Sequence, residues 1–306
     1  MTEMLVMTEP GERVVRPTAG ELAALVRRIG ADGDGFLIAQ RVPDLPDEYI
    51  QVAHRTGGDY QLEYRDGAHD RHFQTFVTDP GVVADAMTGW ARREQGWHQG
   101  FDWALLDMGE PESVPPLELS AEDRRTLEER IRLSLACGYV DRAALAETAE
   151  EYLVTAERRP LTRGQAWRLA DEMWLERVRE QAGWEGETDP ERLARAFARL
   201  REHGIVARED FACCRSCGDA EIGAETQPGD RGFVYFHSQC TEGAVLGQGL
   251  YLLYGTFDDR GPEGTAAVGR EIVEAVRAAG LTVRWDGDPA QAIVVTPLDW
   301  RRRLVG

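Results

Sequence analysis

The chain has 306 residues, 42 % of them hydrophobic, with 54 acids against 35 bases and a formal net charge of −19. That balance excludes a non-specific nucleic-acid binder and a binder of anionic membrane, both of which need a net basic face. Every base is Arg; without Lys the chain can have neither a Schiff-base nucleophile nor the lysine of a phosphate-binding loop or kinase strand. The length predicts two or three domains.

Residues 12–108 read as a small α+β domain. Thr18 to Glu21 is a capping box, and Leu22, Leu25, Val26 and Ile29 supply the apolar stripe of a first helix. Strands are predicted at 36–42, 49–55, 60–65 and 71–77; in the third, Tyr60, Leu62 and Tyr64 share one face. Asp79-Pro80 then caps a second helix. The order α-β-β-β-β-α predicts an antiparallel sheet with helices on one face.

Residues 109–119 are a Pro-rich acidic linker, and 120–204 read as a helical region of four helices, with core stripes Leu127, Ile131, Leu135 and Leu193, Phe197, Leu200. Residues 205–303 read as a cysteine-containing α/β domain in the order β-β-α-β-β, expected to pack with 120–204. Its strands fall at 232–239, 250–256, 281–285 and 292–296, and its helix at 264–279. The whole is an α+β protein: antiparallel N-terminal domain, helical middle, and a C-terminal β-β-α-β-β domain with a zinc knuckle.

The knuckle rests on Cys213-Cys214-Arg-Ser-Cys217-Gly218 and His237-Ser-Gln-Cys240. Two-residue gaps let Cys214 with Cys217, and His237 with Cys240, reach one ion, and four N/S donors suit tetrahedral Zn²⁺. Cys213 is an alternative ligand to Cys240. Gly218 suits the backbone bend of a knuckle. His237 and Cys240 fall at the end of the strand 232–239, so that strand must turn for both to face one ion. Three alternatives stand beside structural zinc. The cysteines are buried thiols beside a satisfied histidine. Or Cys214 and Cys217 are a redox pair, which wants a helix N-terminus, and no helix start is visible after Gly218. Or three ligands hold a zinc-bound water, with Asp219 or Glu221 as base, in a hydrolase. Cys137 reads as core.

The run from Thr188 through Ile222, with Gly232–Glu242 and Leu250–Gly255, resembles a bacterial domain-of-unknown-function family over about 120–303. The resemblance implies no activity. It implies Asp where this chain has Cys240, which favours Cys213 as the ligand beside Cys214, Cys217 and His237. The N-terminal Phe-Leu-Ile, Tyr-Ile-Gln-Val-Ala, Tyr-Gln-Leu-Glu-Tyr and Arg-His-Phe segments resemble immunity-protein domains of bacterial polymorphic toxin systems. That resemblance implies a non-enzymatic toxin inhibitor.

Asp32-Gly-Asp34-Gly35 reads as a turn, His69 and His72 as surface histidines, and Trp97 and Trp103 as partly exposed. Residues 1–12 carry Glu3, Glu9 and Glu12 and no apolar core of a signal peptide, and no stretch is long enough to span a membrane. The expectation is a cytoplasmic, non-enzymatic interaction protein with a structural Zn²⁺ and a protein partner such as a cationic toxin.

Overall fold

The computed structural model describes residues 2–258 and 261–305. The chain divides into two compact units. One comprises residues up to Leu127, Val140–Arg179 and the residues from Leu304; the other comprises Glu128–Tyr139 and Glu180–Arg303.

The first unit contains β1 (Met4–Thr8), β2 (Arg13–Val15), α1 (Ala19–Arg28), β3 (Phe36–Arg41), β4 (Glu48–Ala53), β5 (Tyr60–Asp66), β6 (His72–Val77), α2 (Pro80–Ala91) and β7 (Ala104–Leu105). These strands form one antiparallel sheet in the order β2-β1-β3-β4-β5-β6-β7. The four expected strands appear in the expected order. β1 and β2, ahead of α1, are additions: Leu5, Val6 and Met7 are an apolar run too short to show a period.

Both predicted helix starts are present. Thr18 and Glu21 make the reciprocal capping box of α1, and Asp79 Oδ1 accepts from the Gly81 N–H at 2.7 Å at the start of α2. Leu22, Val26, Val83 and Met87 from these helices bury against Leu37, Ile50, Val52 and Leu62 of the sheet. Trp97 and Trp103 are partly exposed, as expected, and both pack edge-on against Tyr64. Asp34 closes a turn, accepting from Arg28 Nε at 2.7 Å.

Strand register sets two rows of side chains on the face of the sheet away from α1 and α2. Phe36, Ala53, Gln61 and Phe76 lie across from one another in one row. Ile38, Gln51, Glu63 and Gln74 form the next.

The helical stretch supplies α3 (Ala121–Cys137), α4 (Arg142–Glu151), α5 (Arg163–Gln181) and α6 (Asp189–Glu202). α4 and most of α5 belong to the first unit, where Trp174 Nε1 donates to the Asp44 carbonyl at 2.8 Å and Arg142 joins Asp44 to Asp171. α6 belongs to the second unit.

The second unit continues with β8 (Ile205–Arg208), α7 (Arg215–Glu221), β9 (Gly232–Tyr235), α8 (Ser238–Val245), β10 (Leu250–Thr256), α9 (Gly261–Ala278), β11 (Val283–Arg284) and β12 (Ile293–Val295). Its sheet runs β11-β12-β10-β9-β8, with β8 and β9 parallel and the other pairs antiparallel. Leu193, Phe197 and Leu200 of α6 and Ile272 and Val276 of α9 share a core with Val234, Leu252 and Ile293.

The expected strand 232–239 is corrected here: it stops at Tyr235, and α8 begins at Ser238 with His237 as its N-cap. No helix start was expected after Gly218, and the helix found here starts before that residue. α7 begins at Arg215 with Cys214 as its N-cap. Neither helix shows a long apolar period, because each has only two turns or so, and that period is what betrays a helix in sequence.

Candidate metal centre

The parallel pairing of β8 and β9 builds the site. Parallel strands bring their C-terminal ends side by side, so the segments that follow them must meet. After β8 the chain turns through Asp210 and Ala212, both with positive φ (49° and 63°), into Cys213, Cys214 and α7. After β9 it turns through Phe236 into His237 and α8. The two segments are laced together. The Phe211 N–H donates to the Phe236 carbonyl at 2.8 Å, the Ser238 N–H to Ala212 at 3.2 Å, and Ser238 Oγ to the Cys213 carbonyl at 3.0 Å. Thr241 Oγ1 donates to Asp210 Oδ1 at 2.6 Å.

Cys213, Cys214 and Cys217 converge, their sulfurs all within 4.8 Å of one another. Cys217 Sγ lies 3.5 Å from Cys213 Sγ and 3.6 Å from Cys214 Sγ. A disulfide would need about 2.05 Å. Three thiolates on a tetrahedral Zn²⁺, each about 2.3 Å from it, stand about 3.8 Å apart. The sulfur spacing therefore fits a tetrahedral metal, and this cluster is one that can hold a metal ion. Cys213, foreseen only as an alternative, is a full member of the cluster.

His237 and Cys240 form a second pair. They are three residues apart in the first turn of α8, and Cys240 Sγ is 3.4 Å from His237 Nε2. The helical turn puts on one side two residues that an extended strand would have set on opposite faces. Both are buried, and neither belongs to the three-sulfur group. His237 Nδ1 is buried without a hydrogen-bond partner.

The cysteines differ chemically. Hydrogen bonding first with the Cys217 backbone N–H and then with the Cys217 thiol holds the Cys214 thiol below its ordinary range. Hydrogen bonding to Cys213 and Cys214 pushes the Cys217 thiol up to about 12. Burial lowers His237, which favours the neutral ligating form, and raises Cys240. Cys137 is half-buried, and burial raises its thiol to about 12.

Asp219 is engaged, accepting from the Tyr235 hydroxyl at 2.5 Å and pairing with Arg215 at 3.4 Å. Glu221 is exposed. Gly218 does not bend a loop as expected. It lies within α7, buried where the Tyr235 ring crosses the helix, and a Cβ there would meet Tyr235 Cε2 at 2.5 Å.

A family model described as a domain of unknown function, DUF6891, matches residues 120–304. No curated protein and no solved structure matches the chain. No described helix is long and apolar enough to cross a membrane.

Proposed function

Since the chain belongs to the DUF6891 family, whose description assigns no chemistry, we propose from the residues themselves that it is a non-enzymatic, cytoplasmic interaction protein braced by one structural Zn²⁺. Cys213, Cys214 and Cys217 would hold the ion, with His237 as fourth ligand and Cys240 beside it supporting the ring. The observation that carries this reading is the 3.5–3.6 Å spacing of the sulfurs. The orphaned Nδ1 of His237 and the lacing of α8 to the cysteine loop support the fourth position. Three thiolates and one imidazole are a closed ligand set, which braces a fold rather than activating water.

The formal charge of −19 supports a cationic protein partner, such as a basic toxin, because complementary fields speed encounter. Elemental analysis of the purified chain tests the metal: one zinc per chain, lost in C214S/C217S, supports the reading, and no metal refutes it. Co-expression with basic toxins tests the partner; absence of both binding and protection refutes that part.

One observation favours a second reading. Cys214 caps a helix, with its thiol lowered and Cys217 one turn on, which is the arrangement of a dithiol exchange pair. A metal-free chain whose Cys214 and Cys217 oxidise reversibly would select that reading.

A further inference from the structure

The first unit holds a recess unrelated to the cysteines. It occupies about 340 Å³ on the face of the sheet away from α1 and α2, with Phe36, Ile38 and Ala53 as apolar walls and Gln51, Gln61 and Glu63 as its polar lining. Phe36 is 39 % exposed and Phe76, at the far end of the same row, 60 % exposed, whereas Glu63 is only 9 % exposed.

The Glu63 carboxylate is held by two amides and an imidazole. Gln51 Nε2 and Gln61 Nε2 donate to it at 2.7 and 2.5 Å, and His72 Nε2 lies 3.1 Å away. His72 is 3 % exposed, not the surface histidine that its sequence context suggested. Its ring orientation follows from its other neighbour. Arg65 NH2 lies 3.3 Å from His72 Nδ1. A guanidinium has no acceptor, so this contact faces Nδ1 towards Arg65 and leaves Nε2 to donate to Glu63. Arg65 itself pairs with Asp47 at 3.0 Å. Among the described residues no arginine pairs with Glu63. A carboxylate this buried with no arginine partner has room for a stronger counter-ion, and a cation that enters the recess supplies it.

The remaining hydrogen-bonding capacity has the same sense. Both protons of the Gln61 amide are used, on Glu63 Oε1 and on Gln74 Oε1 at 3.1 Å. The amide oxygens of Gln51 and Gln61 take no donor among the described residues. A carboxylate and two carbonyl oxygens thus line a recess whose walls are apolar and aromatic. Such a site accepts hydrogen bonds and suits a positively charged donor carried on an apolar stem, with Phe36 placed for a cation–π contact.

We propose that this recess binds an organic cation, a primary ammonium or guanidinium on a short apolar stem, with the Glu63 carboxylate as its counter-ion. The proposal is independent of the metal centre. The ligand is either a free amine or a Lys or Arg side chain on another polypeptide, since both present the same group.

The test is a titration of the full chain, followed by amide chemical shifts or calorimetry. The probes are n-butylammonium and n-butylguanidinium, with 1-butanol and butyrate as neutral and anionic controls. The expected result is saturable binding of the cations at about 1 mM, a reachable affinity for so small a ligand, and none of the controls. E63Q should weaken it at least ~10-fold in a chain that remains folded. Should E63Q fail to fold, F36A, at an exposed wall, should weaken binding several-fold in a folded chain. Blocked lysine and arginine amides form a second arm: their binding assigns the site to a protein side chain, and their exclusion assigns it to a free amine. Failure of the cations to saturate, equal binding of 1-butanol, or affinity unchanged in both variants overturns the proposal.

Discussion

The sulfur of Cys213 lies 3.5 Å from that of Cys217, four residues on, and the sulfur of Cys214 lies 3.6 Å from the same atom. Two neighbours in sequence thus converge on a third, because Cys214 is the N-cap of α7 and Cys217 sits in its first turn. With the metal bound, the double variant C214S/C217S should lose it and lose roughly 3–5 kcal/mol of second-unit stability. Calorimetry of metal-loaded and chelated protein beside the variant checks this. Equal melting of all three would mean that the cluster is not a structural centre.

The thiols should differ in reactivity once metal is removed. A lowered thiol is more ionised at neutral pH and reacts faster. Iodoacetamide at pH 7.5, followed by peptide mass spectrometry, should label Cys214 first. Cys217 and Cys137, both raised to about 12, should be labelled last. Added zinc should protect Cys213, Cys214 and Cys217 together and leave Cys137 unchanged.

Gly218 should tolerate no side chain. A Cβ there would come within 2.5 Å of Tyr235 Cε2, and the Tyr235 ring is buried and tied to Asp219 and to the Arg215 carbonyl. Gly218→Ala should cost about 1–3 kcal/mol through overpacking and should weaken metal retention, because α7 carries Cys217. A variant with wild-type melting temperature and metal content would contradict this.

Arg142 neutralises two carboxylates of the first unit, at 2.8 Å from Asp44 and 2.8 Å from Asp171, in a site where its side chain is 13 % exposed. Burial holds both carboxyls above their ordinary range. Arg142→Ala should cost about 3–5 kcal/mol at pH 7, because it strands buried charge. An acid raised in the folded state binds its proton more tightly folded than unfolded. Lowering the pH through the window above the unfolded value therefore favours the fold. The deficit of the variant should shrink between pH 7 and about pH 4.5, measured by urea unfolding at each pH. A deficit that grows on acidification would contradict the assignment.

Much of the first unit was legible because its signals are local. The capping box at Thr18, the Asp79-Pro80 start and the alternation of Tyr60, Leu62 and Tyr64 each place an element within a few residues. β1 was missed because four apolar residues and a threonine carry no readable period. His72 was misread because its burial depends on its cross-strand neighbour Arg65 and the diagonal Glu63, which no local pattern names.

From its composition alone this chain excludes lysine chemistry and carries a strongly acidic net balance. Its spacing alone nominates Cys213, Cys214, Cys217, His237 and Cys240 as metal-ligand candidates. Only the tertiary structure decided how they group. α7 gathers three sulfurs, α8 pairs His237 with Cys240, and the parallel β8–β9 pair lays the two segments side by side. The physical reason is range. A cap or a two-residue gap acts over one turn of chain, whereas strand pairing joins residues twenty or more apart through backbone hydrogen bonds common to every sequence.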